Sequence, residues 1–194
     1  MFIPKPKSAQ PLPEHAKKVF KGVVFDVYQW EQEMFDGSKR TFEKVKRPDT
    51  VSVYPVFPDG TILLLEQQQP GTGTYLSSAG GRVDEGEDIF EAVKRELLEE
   101  TGYEASEWEV WNVVQPSTKV EWTIYTFIAK GLKKVTDIHL DGGEKIKEKR
   151  VTLDELIDLS IRPDFSEKEL TPILLQAKYE PEKKEELKKL FSLS

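Results

Sequence analysis

The chain has 194 residues, enough for one sizeable core and a small appended unit, and its net charge of -7 comes from acidic and basic residues mixed throughout. It has no cysteine and only two histidines, His15 and His139, which excludes disulfides, thiolate metal sites and multi-histidine zinc sites, so any metal must rest on oxygen ligands. No basic stripe suits a nucleic-acid backbone, and the longest strongly apolar run, Ile62 to Leu65, is far too short for a bilayer; neither nucleic acid nor a membrane is an expected partner, and a cytoplasmic location is expected.

In chain order, residues 1–16 are rich in Pro and Lys and are expected to be a flexible tail. Residues 17–48 are expected to form a small antiparallel β-subdomain: Val19 to Tyr28 is rich in β-formers, Asp36-Gly37 marks a turn, and Arg40 to Val45 is the return strand. The main domain follows over residues 49–194. Thr50 to Phe57 and Thr61 to Gln67 flank Pro58-Asp59-Gly60 and are expected to pair as a hairpin. Tyr75 to Ser78 suits a short strand. Asp88 to Thr101 is the strongest helix, with Asp88 to cap its start and Gly102 to close its end. Trp108 to Gln115, Glu121 to Ala129 and Lys145 to Val151 suit strands. Thr152 to Leu159, Ser166 to Lys178 and Pro181 to Phe191 suit helices. Sequence pattern alone therefore gives a mixed α and β fold.

The informative segment is GGRVDEGEDIFEAVKRELLEETGY, Gly80 to Tyr103. At 100° per residue, Ile89, Val93 and Leu97 make an inward stripe. Glu96 and Glu100 fall within or beside it and Glu99 on its flank, whereas an ordinary solvated face would put them opposite. Crowded carboxylates destabilise one another unless a cation sits among them. Glu96 and Glu100 are one turn apart, within reach of a shared ion. Magnesium or manganese suits an all-oxygen site that keeps waters and phosphates as further ligands.

This segment resembles the Nudix signature: Gly81, five residues, Glu87, seven residues, Arg95-Glu96-Leu97, any residue, Glu99-Glu100, any residue, Gly102. Only the last position departs, with Tyr103 in place of an aliphatic. The resemblance implies an α/β/α sandwich with a mixed sheet, residues 49–194 being the Nudix hydrolase domain. It implies Mg2+ or Mn2+ held by Glu96, Glu99, Glu100 and the Gly80 carbonyl, and a structural salt bridge between Glu87 and Arg95. It also implies hydrolysis of a pyrophosphate bond in a nucleoside diphosphate linked to another moiety.

From Val19 to Leu159 the chain resembles the ADP-ribose and ADP-sugar pyrophosphatase branch, which implies AMP and a sugar phosphate as products. It further implies a homodimer formed through the N-terminal β-unit. Phe42 matches a base-stacking aromatic, Arg47 a substrate-contacting arginine, and Glu144, in LDGGEKIKEKRVTLDEL, a loop acid that serves as general base or further ligand. Glu99 and Glu144 are thus the candidate catalytic residues. Two departures bear on the substrate. Gln69 stands where the branch often has an arginine, which loses a bidentate grip on phosphate. Pro116 follows Tyr103 by 13 residues, which shortens a loop. The alternatives are another nucleoside diphosphate sugar, a nucleoside triphosphate, or a non-catalytic nucleotide-sensing module.

Overall fold

The computed structural model describes residues 3–138 and 145–192. Strand β1 (Lys17–Lys21) pairs antiparallel with β2 (Asp26–Glu33), and β2 with β3 (Lys39–Lys46). This sheet is completed from far along the chain by β9 (Val120–Glu121), parallel to β3. The expected single strand from Val19 to Tyr28 is two, because the chain turns over at Gly22, whose amide bonds to the Phe25 carbonyl.

Two further sheets contribute jointly to two cores. Strand β4 (Thr50–Pro55) lies between β7 (Ala79–Arg82), antiparallel, and β10 (Ile124–Lys134), parallel; β8 (Tyr103–Val114) pairs antiparallel with β10. The third sheet is β5 (Ile62–Gln68) between β6 (Tyr75–Ser77) and β11 (Lys145–Val151). The Pro58-Asp59-Gly60 turn forms, with Phe57 N–H donating to the Thr61 carbonyl, but β4 and β5 then part into different sheets. The expected hairpin stops at one bridge, Val56 to Ile62. Both strands are buried on both faces, and such continuous apolar runs are typical of strands covered on both sides.

Helix α1 (Ile89–Thr101) covers one side, where Val51, Val53, Leu63, Leu65, Val93, Leu97 and Phe127 pack together. Helices α2 (Leu153–Leu159), α3 (Thr171–Tyr179) and α4 (Pro181–Leu190) cover the other, around Tyr54, Ile62, Leu64, Ile128, Phe165, Leu174 and Phe191. Alternate residues of β5 thus serve opposite cores, as a period-2 strand requires. The result is the α/β/α arrangement with mixed sheets.

Local signals explain the boundaries. Asp88 accepts from the Phe90 and Glu91 amides at the start of α1. Gly102, at φ 68°, donates to the Leu98 carbonyl and turns the chain straight into β8, five residues earlier than the sequence pattern suggests. Its own carbonyl accepts from Val135 and Thr136, which extends β10 beyond Ala129. Helix α3 starts at Thr171 rather than Ser166 because Phe165 forms a parallel bridge with Leu76. Strand β7, in the glycine run before the signature helix, was not expected. None of the helices among the described residues is long and apolar enough to cross a membrane.

Candidate functional site

A cavity of about 860 Å³ opens between α1, the β6–β7 crossover, the start of β4 and residues 166–169. Of the residues singled out in the sequence, Gln69, Gly80, Arg95, Glu96, Glu99 and Glu100 line it. Phe42 does not; it packs against Trp30 with ring centroids 5.9 Å apart, and the Lys119 ammonium lies over its ring. Glu144 lies outside the described residues.

Helix α1 turns its carboxylates toward the cavity. Glu96 and Glu100 are each only 9% exposed, so these charges lie on the core side of the helix and not on its solvent face. Arg95 holds the group together. Its Nε donates to Glu87 Oε1 at 2.9 Å and its Nη2 to Glu87 Oε2 at 3.0 Å. Nη1 donates to Glu96 Oε1 at 2.8 Å and Glu99 Oε2 at 3.2 Å, and Nη2 also reaches the Arg82 carbonyl. The bidentate contact holds Glu87 below the usual carboxylate range. Burial pushes Glu96 the other way, above it, despite Arg95.

Glu100 faces β7. Its Oε2 accepts from the Gly80 amide at 2.8 Å, and Gln67, itself bonded by the Tyr75 hydroxyl, lies beside its Oε1. Positions 80 and 81 disfavour a side chain for different reasons. Gly80 has φ 156°, and a Cβ there would collide with the Val51 carbonyl. At Gly81 a Cβ would overlap the Glu96 carboxylate, so the missing side chain leaves the space that this acid occupies.

Arg47 does not itself line the cavity; it stacks on Trp122, which does, its Cζ 4.4 Å from the ring centroid. Its Nε is buried with no hydrogen-bond partner. Burial, and secondarily the charge of Arg82, lower its pKa. Arg82, Trp122 and Thr50 line the cavity beside it. Neither Arg82 nor Trp122 stands out in the sequence; only the meeting of β3, β7 and the Trp122 segment brings them together with Arg47. Nor do Glu167 and Glu169, which line the opposite wall and which no linear spacing connects to α1.

An excess of oxygen donors, an open cavity and a glycine-made cradle under Glu96 together make this an acidic site. The family model of the NUDIX domain matches residues 46–172, and the chain belongs to the Nudix family. Three relatives stand out. A methanol dehydrogenase activator from Bacillus methanolicus is 31% identical over 73% of this chain and 78% of its own. An ADP-ribose pyrophosphatase from Bacillus subtilis (strain 168) is 29% identical over 74% of this chain and 79% of its own. The ADP compounds hydrolase NudE of Escherichia coli (strain K12) is 27% identical over 79% and 83%. Among solved structures, an ADP compounds hydrolase superposes with a TM-score of 0.68 at 23% identity, covering 90% of this chain and 96% of that one.

Proposed function

We propose that this Nudix pyrophosphohydrolase cleaves the pyrophosphate of an ADP-linked compound, ADP-ribose or an ADP-sugar, into AMP and a sugar phosphate, using Mg2+ or Mn2+. The observation that carries the reading is the charge balance at α1. Glu87, Glu96 and Glu99 share the Arg95 guanidinium, Glu100 lies beside them on the Gly80 amide, and two of the four are buried. Such an excess is stabilised by a divalent ion, which also removes the repulsion between an acidic protein and a diphosphate.

The donor set fits that ion in chemistry: carboxylates and a backbone carbonyl, with no sulfur or imidazole. Among the described residues no three ligating side chains converge as they stand. Glu96 and Glu99 are instead turned onto Arg95 and Glu100 onto Gly80, so Arg95 holds the countercharge that an ion would supply. Glu96, Glu99, Glu100 and the Gly80 carbonyl would hold the metal, which supplies charge neutralisation and acidifies a bound water. Glu99, the most exposed of the three, accepts the proton of the attacking water, with Glu144 as the other candidate base. Arg82, in the cavity lining, and Arg47, behind Thr50 and Trp122, are the arginines that would grip phosphate oxygens; the unpartnered Arg47 Nε supports this. Gln69 contributes an uncharged contact.

The ADP preference follows the names of two relatives, an ADP-ribose pyrophosphatase and an ADP compounds hydrolase. Phe42 lies outside its own cavity, so base stacking by it requires a second copy of the chain. A homodimer through the N-terminal sheet is supported by Val19, Phe20 and Phe25, which are 52%, 58% and 47% exposed.

The test is a product-resolved assay of ADP-ribose, other nucleotide sugars and nucleoside triphosphates with each metal. ADP-ribose is expected to give AMP and ribose phosphate. Glu99→Gln is expected to lower kcat by about 10²- to 10⁴-fold. Unchanged turnover in that variant would remove the mechanism, and a strong preference for nucleoside triphosphates would remove the substrate.

A further inference from the structure

The segment between α2 and α3 is laced to the strand that enters the site. Leu76 N–H donates to the Asp164 carbonyl at 2.7 Å, and Ser166 N–H to the Leu76 carbonyl at 2.8 Å. These are consecutive rungs of a parallel ladder centred on Leu76 and Phe165. In such a ladder the next rung runs from the Ser78 amide to the Ser166 carbonyl. Here the Ser78 amide donates instead to Glu167 Oε1, at 2.8 Å, and the Ser78 hydroxyl joins it at 2.9 Å. A side-chain carboxylate has replaced the backbone acceptor.

The position of that rung matters. Ser78 is the residue at which the chain leaves β6 in one sheet and enters β7 in another. Two residues on, the Gly80 amide is held by Glu100. Amides two apart on an extended chain point the same way, about 7 Å apart. One edge of the crossover is therefore gripped twice, by Glu100 from α1 and by Glu167 from the far wall, while the other edge of β7 is paired to β4 through Val53–Ala79 and Ser52–Gly80. With both edges held, the peptide planes from Ser78 to Gly80 have little freedom.

We infer that Glu167 is a positioning residue: by holding the Ser78 amide it fixes the direction in which the Gly80 carbonyl is presented to the catalytic site. The inference rests on the proposal that this carbonyl is a metal ligand. Its burial fits the role. Glu167 is 8% exposed and Ser78 2%, so the rung is shielded from competing water. An acid used only for packing would be a poor choice here, because its Oε2 is buried without a hydrogen-bond partner, as is the nearby Tyr54 hydroxyl. A buried unpartnered oxygen carries a desolvation cost that an apolar side chain would not, and it is tolerated for what Oε1 does.

The test uses Glu167→Ala, Glu167→Asp and Glu167→Gln in the full chain, with Mn2+ affinity by calorimetry in the absence of nucleotide, kcat and KM for ADP-ribose, and thermal unfolding. The Gln variant keeps an oxygen for Ser78 and should stay within threefold of wild type in Mn2+ affinity, kcat and KM. Asp falls a methylene short of Ser78 and Ala removes the acceptor. Both should weaken Mn2+ binding and lower kcat by about tenfold, the effect usual for a group that orients a ligand, with KM nearly unchanged. Folded Ala and Asp variants with wild-type Mn2+ affinity and kcat would overturn the inference alone. If Ala does not fold, the Asp variant decides by the same criteria. A wild-type protein that binds no Mn2+ would overturn the metal reading, and this inference with it.

Discussion

The N-terminal sheet and the central sandwich are built on opposite principles. In the sandwich, β4 and the first four residues of β5 are buried almost throughout, and large side chains such as Tyr54, Leu64 and Phe127 have no exposure. In the N-terminal sheet every residue of β1 is exposed, and only Trp30 and Lys44 are buried within β2 and β3. The sandwich is held by apolar area; the N-terminal sheet is held by fastenings. Lys44, 2% exposed, donates to Glu121 at 2.6 Å, to the Gln10 carbonyl at 2.6 Å and to the Ser8 hydroxyl at 3.0 Å. It thereby joins the N-terminal segment, β3 and β9, and Lys5 adds an ion pair with Asp49.

The contrast can be broken first in the sandwich. Phe127→Ala should destabilise the protein by about 3–5 kcal/mol in denaturant titrations, since a buried aromatic leaves a cavity. Phe35→Ala, at the fully exposed turn between β2 and β3, should change stability by about 0.5 kcal/mol or less. Equal losses at the two sites would mean that the N-terminal sheet buries far more in solution than the isolated chain shows.

Lys44→Ala should cost about 2–3 kcal/mol, because it leaves Glu121 and the Gln10 carbonyl without their charged donor. Limited proteolysis should then cut before residue 17 while the sandwich stays resistant. The opposite order of cutting would refute the fastening role.

The two regions should also differ in the sign of their pH response. Burial holds Glu167 up at about 7, against the Ser78 amide and the Ser166 and Ser78 hydroxyls, which favour the anion. The folded chain then keeps a proton that the unfolded chain, titrating near 4.5, has lost. Stability should fall as pH rises from about 4.5 to about 7 and level off above, and Glu167→Gln should remove that slope. Asp26 is lowered by its hydrogen bond from Lys18, so its contribution is present at higher pH and is lost as pH falls below the free value of 3.8. Melting curves of the two variants, Glu167→Gln and Asp26→Asn, between pH 3 and 8 should therefore depart from wild type at the upper end in opposite directions, Glu167→Gln above it and Asp26→Asn below it.

The smallest effect belongs to the solvated ion pairs of α4. Lys183→Ala removes an exposed contact to Glu186 and should cost less than about 0.5 kcal/mol. Phe20→Glu sharpens the assembly question: a mass halved in sedimentation would support the proposed dimer, and an unchanged mass would place the interface elsewhere.

How much was legible varied with the range of the interaction. Helix α1, its Asp88 cap and its Gly102 stop follow from local chemistry, and the placement of Glu96 and Glu100 on the buried side follows from helical period. The parting of β4 and β5 was not legible, because the same turn serves a hairpin and a sheet change. Lys44 reads in sequence as part of a short basic cluster with Lys46 and Arg47; its burial depends on Glu121, 77 residues away. Glu167 lies 89 residues from Ser78, and no period or spacing links them. Arg82 sits inside the signature segment, but its neighbourhood with Arg47 is set by sheet pairing.

The parallel pairing of Val45 with Val120 has a consequence for biosynthesis. The first three strands leave the ribosome well before the segment that seals their edge, so the nascent N-terminal sheet has an open side while some seventy residues are still being added. During that interval it resembles a lone three-stranded meander with apolar residues showing, the kind of surface that chaperones hold. Its maturation is timed by the translation of β9, and slowing synthesis between residues 47 and 119 should lengthen its exposure.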